Sequence, residues 1–279
     1  MSASRAIRAA ALAAPLLLLA ACASATDAGG DASGGGDYVT DGVLTVATGE
    51  PAYFPYVIDD DPESGEGFEA AVAYAVAAEL GFDADEVVWV RSTFESAIAP
   101  GAKDFDVNLQ QFTITEDRAE SVDFSSPYYA TPQAVVTIAG SPAADAASIA
   151  DLQDVVLGAQ VGTTSLSTVE SVIAPTQPVQ PYTTNDDAVL ALQSGQVDAI
   201  VVDLPTAFYL SGVQLDDGVL VGQLPADAGI SDEWGFVLEL DSPLTDEVSA
   251  AVDALREDGT LDAIAAEWLG ADAGAPVLE

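Results

Sequence analysis

Apolar and polar positions alternate along this chain with two different periods. Leu44–Thr48, Val87–Val90 and Phe105–Leu109 are short apolar runs that predict strands. Between them, Phe68–Leu80 carries small and apolar residues at helical spacing, with Gly81 placed to stop the helix. Phe94–Ile98 predicts a brief helical turn, and Thr115 is placed to cap a short helix over Glu116–Glu120. The order then repeats. Strands are expected at Gln133–Ile138, Val155–Ala159, Ala199–Val202 and Phe236–Leu240. Helices are expected at Thr164–Val172, Leu204–Leu210, Leu244–Leu255 and Leu261–Leu269. Another is expected at Asn185–Gln193, with Thr184 as its N-cap and Gly195 as its stop. Strands alternating with helices predict α/β sheets built mostly from parallel strands.

Two phrases are related. Lys103-Asp104-Phe105-Asp106-Val107 and Gly195-Gln196-Val197-Asp198-Ala199 each set an Asp before an apolar strand. Asp106 and Asp198 begin their strands and are expected to be structural. Ligands of open α/β sheets bind beyond the C-terminal strand ends, so two such units facing each other predict a cleft.

The N-terminal residues change the picture of compartment. Arg5 and Arg8 precede the apolar stretch Ala9–Ala20, which is too short to span a bilayer and suits a signal peptide. It ends in Leu19-Ala20-Ala21-Cys22, the form of a bacterial lipobox. The expectation is a signal peptide over 1–21, then a lipidated Cys22 and a flexible tether over 22–42 rich in Gly, Ala, Ser and Asp. The alternative is an ordinary secretory cleavage with an incidental cysteine. Cys22 is the only cysteine, so no disulfide or thiol chemistry is expected in the body. The lipid is the expected membrane anchor, on the outer face of the cell membrane.

Charge removes further classes. The 46 acidic residues all follow Cys22, where the basic residues are Arg91, Lys103, Arg118 and Arg256. Such a chain is a poor partner for nucleic acid or anionic lipid headgroups. The bland reading of this acidity is a solvated surface suited to high salt. A calcium reading of Asp59-Asp60-Asp61-Pro62-Glu63-Ser64-Gly65 fails on spacing. Ser64 stands where an EF-hand loop needs Gly, and Ala70 where it needs Glu. No phosphate loop or zinc spacing is present, and no cofactor or metal is expected. With no histidine, Ser-His and Cys-His catalysis are excluded.

The run Gln110-Gln111-Phe112-Thr113-Ile114-Thr115-Glu116-Asp117-Arg118, followed by Val122-Asp123-Phe124-Ser125-Ser126-Pro127-Tyr128-Tyr129, resembles the amino-acid-binding family (family 3) of periplasmic-type solute-binding proteins. Gly67-Phe68-Glu69, Val197-Asp198-Ala199-Ile200-Val201-Val202-Asp203, and the stretch from Asp258-Gly259-Thr260-Leu261 to Trp268-Leu269-Gly270 are similar too. The resemblance covers Leu44 to Gly270. It implies a type II two-lobe α/β fold, each lobe a central, mostly parallel sheet flanked by helices, with two crossover hinge strands. Lobe 1 would be 43–129 plus 235–270, lobe 2 would be 130–234, and 271–279 a C-terminal tail.

The resemblance also implies roles. A buried amino acid needs partners for both of its charges. Arg118 matches the carboxylate-binding position, where a guanidinium fork gives two charge-assisted hydrogen bonds. Thr113 would supplement it, and Gly162-Thr163-Thr164 would add N–H donors at a helix N-terminus. The alternatives are that Arg118 pairs with Glu116 on the surface and that Thr163 merely caps a helix. Asp203 matches the ammonium ligand. Tyr53 and Phe94 match the aromatic walls around the ligand side chain, and Glu50 an acidic position facing it. The loop from Gly49 to Tyr56 is one residue longer than usual, and Gln111 and Gln160 depart from the usual residues. All three departures fall where side chains are selected. The expected partners are an amino acid and the permease and ATPase subunits of an ABC importer, and the expected state is a monomer. Two rivals remain: a ligand-binding sensory protein, and an arogenate/prephenate dehydratase-like enzyme with Glu50 as its acid.

Overall fold

A computed structural model describes residues 37–225, 232–270 and 275–279. The expected signal peptide, Cys22 and most of the tether lie outside the described residues. In chain order the strands are β1 Leu44–Thr48, β2 Val87–Arg91, β3 Val107–Asn108, β4 Val122–Phe124, β5 Tyr129–Thr131, β6 Gln133–Ile138, β7 Leu157–Gln160, β8 Gln180–Tyr182, β9 Ala199–Asp203, β10 Gly218–Gln223, β11 Asp232–Trp234 and β12 Val237–Glu239. The helices are α1 Phe68–Glu79, α2 Phe94–Ile98, α3 Glu116–Ala119, α4 Thr164–Thr168, α5 Asn185–Gln193, α6 Leu204–Tyr209, α7 Thr245–Glu257 and α8 Thr260–Trp268.

The strands form two five-stranded sheets with the same plan. The first runs β2-β1-β3-β12-β4, with β12 antiparallel to both neighbours and β1, β2 and β3 parallel. The second, read from its β8 edge, runs β8-β7-β9-β6-β10, with β6 antiparallel to its neighbours and β7, β8 and β9 parallel. The antiparallel pair β5 and β11 lies outside both sheets. It carries the chain from the first sheet to the second and back. This is the type II two-lobe α/β arrangement.

The expected Asp staples are present in both lobes. Asp106 accepts from the Thr45 N–H at 2.6 Å and the Val39 N–H at 2.7 Å. Asp198 accepts from the Val156 N–H at 2.8 Å. Each thus ties the entry of a third strand to that of its parallel neighbour, satisfying backbone donors where the ladder ends.

The cores differ. The first lobe buries Tyr56, Phe68, Phe112, Tyr128 and Phe236, and Trp234 of the crossover packs into the same core. The buried clusters of the second are Ala, Val, Leu and Ile. Aromatic pairs such as Tyr128 with Phe236, centroids 5.3 Å apart and nearly edge-on, join β12 to the crossover in the first lobe.

Several elements depart from the apolar pattern. The third strand is cut to Val107–Asn108, and the helices expected to reach Val172 and Leu210 open into wide turns at Val169–Ile173 and Leu210–Gln214. Strand β8 reads Gln-Pro-Tyr and sits at a sheet edge, where Pro181 costs no ladder bond. Residues expected as a tail return to the second lobe: Val277 bridges Gln223, and Leu278 is buried in that core. Gly222 makes room for this, since a Cβ there would lie 2.6 Å from the Pro276 carbonyl oxygen.

Candidate ligand-binding site

A cavity of about 220 Å³ lies beyond the C-terminal ends of matching strands in the two lobes. In the first lobe its walls follow β1 (from Thr48), β2 (Ser92 to Glu95) and β3 (Gln110 and Gln111). In the second they follow β7 (from Gln160), β8 (Thr183 to Asn185) and β9 (Asp203). Placement beyond strand ends is where open α/β sheets hold ligands. The lobes touch over the cavity. Tyr56 Oη lies 2.9 Å from Thr206 Oγ1, Tyr53 Oη donates to Asp186 at 3.4 Å, and the Phe54 and Tyr209 rings meet at 4.7 Å.

Arg118 sits on the short helix α3, whose first turn is capped by the Thr115 hydroxyl accepting from the Arg118 N–H at 3.2 Å. Its side chain folds back over the Phe94 ring, 5.4 Å from the centroid. Its two Nη atoms donate to the carbonyl oxygens of Thr113, at 2.6 Å, and of Gly162 across the cleft, at 2.9 Å. Among the described residues the ion pairs are Arg91 with Asp60 and Arg256 with Asp253; Arg118 forms none, and the alternative of a surface pair with Glu116 is not realised. Burial lowers its proton affinity, against the pull of Asp232 and Asp203. The half-buried guanidinium thus has no carboxylate within ion-pair distance among the described residues, in a chain this acidic.

Arg91 has a different task. Its Nη1 donates to Gly49 O at 2.8 Å and to Asp60 Oδ1 at 2.6 Å, while Asp60 accepts from the Ala52 N–H at 2.8 Å. This clamp shapes the loop bearing Glu50 and Tyr53. Both line the cavity; Glu50 is exposed and Tyr53 half-buried. Burial and Asp186 hold the Tyr53 hydroxyl well above the usual phenol range. Phe94 lines the cavity with its other face stacked on core Phe112, centroids 4.7 Å apart.

In the second lobe, the Thr163 hydroxyl caps α4. It accepts from the Leu166 N–H at 3.2 Å and donates to Gln160 O at 2.7 Å. The capping alternative therefore describes its side chain. Thr164 and Gln160 line the cavity. Thr113 does not: it is buried, and its hydroxyl lies 3.3 Å from Thr164 Oγ1.

Asp203 ends β9 and lines the cavity. Its Oδ1 accepts from Gln133 Nε2 at 2.5 Å. Burial, with the charge of Asp232 behind it, pushes its carboxyl up to about 8, although Gln133 and Arg118 favour the charged form. Bringing an ammonium to this group would restore its charge.

Glu69 and Gln133 were given no ligand role from sequence. Glu69, on α1, is 1 % exposed and lines the cavity. It accepts from the Gln111 N–H at 2.8 Å, from Gln111 Nε2 and from Tyr128 Oη. These bonds hold Gln111 at φ 52° and occupy its amide nitrogen. Burial raises the Glu69 carboxyl to about 7. Gly67 lets α1 begin against the clamped loop, since a Cβ there would lie 2.5 Å from Tyr56 O. The signal for Glu69 was an acid on the apolar face formed with Val72, Ala73 and Val76. Gln133 is buried, and nothing in its apolar strand marked it apart from its polarity.

The profile of the bacterial extracellular solute-binding proteins, family 3, matches residues 44–271. An L-arginine-binding protein of Pseudomonas aeruginosa is 29% identical over 237 residues, covering 80% of this chain and 86% of that protein. A solved ancestral arginine-binding protein bound to glutamine superposes with TM-score 0.68 at 30% identity, covering 83% of this chain and 100% of that one. A solved ancestral amino acid-binding protein, described as a precursor of cyclohexadienyl dehydratase, gives TM-score 0.65 at 29% identity, over 82% and 95% of the two chains. Among the described residues, no helix is long and apolar enough to cross a membrane.

Proposed function

Because the chain belongs to the bacterial extracellular solute-binding proteins of family 3, we propose that it captures an α-amino acid, or a similar small zwitterion, between two closing lobes and delivers it to an ABC importer. The observation that carries this reading is a guanidinium on one lobe facing a carboxyl on the other. Arg118 donates to backbone carbonyls alone, and Asp203 across the cleft is short of a cation. The ligand carboxylate meets Arg118 and the N–H groups of Thr163 and Thr164, with Thr113 behind them. The ammonium meets Asp203. The ligand side chain meets Glu50, Tyr53, Phe94, Gln111 and Gln160.

Lobe 1 comprises 43–129 with 235–270, and lobe 2 comprises 130–234. Closure is driven by differential contact, since only the closed state satisfies both ligand charges. The protein works as a monomer, anchored outside the cell membrane by lipid on Cys22. We assign it no catalysis. The family that the chain belongs to is one of solute-binding proteins. Calorimetric titration of the purified protein with the common L-amino acids tests the reading. Tight binding of at least one supports it; binding by none overturns it.

A further inference from the structure

Behind the cavity lies a second carboxyl that no ligand role has absorbed. Asp232 is fully buried on β11, in the return crossover, paired with Thr131 of β5. Its Oδ2 accepts from Gln133 Nε2, the same nitrogen that donates to Asp203. Its Oδ1 has no hydrogen-bond partner among the described residues. The amide orientation is fixed from the far side, because Ser165 Oγ donates to Gln133 Oε1 at 2.7 Å. Both N–H bonds of the amide are therefore committed, one to each carboxyl. A fully buried carboxyl oxygen without a partner is costly, and a hydrophobic residue would avoid the cost.

We propose that Asp232 is a positioning residue for the ammonium subsite, acting through Gln133 to orient the Asp203 carboxylate and to couple its protonation to ligand binding. This rests on the amino-acid reading given above. The groups facing Asp203 are Arg118 from α3, Glu69 from α1, Tyr56 from the clamped loop, Tyr128 at the start of the crossover, and Asp232 itself. Of these only Arg118 is cationic, and the ligand carboxylate takes up its charge. Two carboxyls bridged by one amide then favour a proton on the ligand-facing one while the site is empty. An ammonium displaces that proton. The expected signature is an affinity that rises with pH while the empty site remains protonated, because binding then releases a proton.

The test is calorimetric titration of the purified protein with whichever L-amino acid binds, from pH 6 to 8, in buffers of different ionisation enthalpy. The wild type should gain affinity by close to tenfold per pH unit in the lower part of this range, the limit for one proton released per ligand. Asp232→Asn keeps the shape and removes the charge. It should lower that slope and the proton release below the wild-type values, while burial of Asp203 keeps part of both. Gln133→Met keeps Asp232 and removes the amide that favours the charged form of Asp203. It should move the rise to higher pH. A purely structural role would not give opposite pH responses in the two variants, and thermal midpoints of both report whether they fold. If wild type and Asp232→Asn share one pH profile and one proton count, the proposal is overturned. If Asp232→Asn does not fold, Asp232→Leu takes its place, with the same lowering of the slope expected and an unchanged pH profile overturning the proposal. If no amino acid binds the wild type at any pH, the amino-acid reading itself has failed.

Discussion

The two lobes repeat one strand order and one Asp staple, yet face the cavity with opposite chemistry. The first is built on aromatic side chains and presents a guanidinium. The second is built on aliphatic ones and presents a carboxyl. The repeated parts satisfy backbone groups at strand entries, a need that any such sheet has. The parts that differ lie beyond the strand exits, where the chain is free of the ladder. The comparison therefore separates scaffold from site: what the lobes share builds the cleft, and what they do not share selects what enters it.

Removing either charge should break the division between lobes. Arg118→Ala should cost about 3–5 kcal/mol of binding, enough to abolish a measurable heat of titration, because the ligand carboxylate would be left buried and unpaired. Asp203→Asn should cost about 2–5 kcal/mol by the same logic at the other end of the ligand. It should also raise the ligand-free thermal midpoint at pH 8, where the native carboxyl is being forced to ionise.

The second lobe's carboxyl and Glu69 of the first should also shape the pH dependence of the empty protein. Both ionise more easily when unfolded, from ordinary values of 3.8 and 4.5. Their contribution is therefore fullest below those values and lost as pH rises through about 7 for Glu69 and about 8 for Asp203. Stability should fall between pH 5.5 and 8, with a slope approaching about 1.4 kcal/mol per pH unit for each group still protonated in the fold. The chain has no histidine to blur that window. Chemical denaturation at several pH values measures it, and a flat profile would contradict the burial argument.

Two smaller changes sharpen the comparison. Glu69→Gln should weaken binding by about 1 kcal/mol through a looser Gln111, while flattening the pH dependence of stability. Tyr53→Phe removes only the long contact to Asp186 between the lobes, and should change affinity by about 0.5 kcal/mol or less. A larger loss would make the tyrosine hydroxyl a ligand contact.

Much of this was readable before the coordinates. Helices with apolar periodicity and capping residues stand where they were expected: Thr184 caps α5, and Thr115 caps α3 beneath Arg118. The strands that escaped notice are edges. Gln180–Tyr182 and Gly218–Gln223 lie at the ends of the second sheet, while the two crossover strands that the resemblance implies stand at Tyr129–Thr131 and Asp232–Trp234. Most of the site residues expected from the family motif line the cavity; Thr113 stands behind its wall. What sequence could not reveal was which of 46 acids are buried. Asp232 looks like the rest until β11 turns it inward, because burial is a property of packing and not of composition, whereas Glu69 shares the apolar face of α1.

The most direct test of the central claim uses blocked ligands. Once a binding L-amino acid is found, its carboxamide and its N-acetyl form should be titrated against the wild-type protein under the same conditions. Each removes one of the two charges that the lobes are held to divide. The account predicts that the parent binds and that both derivatives lose at least about 2 kcal/mol, a factor of roughly thirty in Kd. A derivative that binds as tightly as its parent would show that one lobe does not hold the charge assigned to it, and would contradict the account.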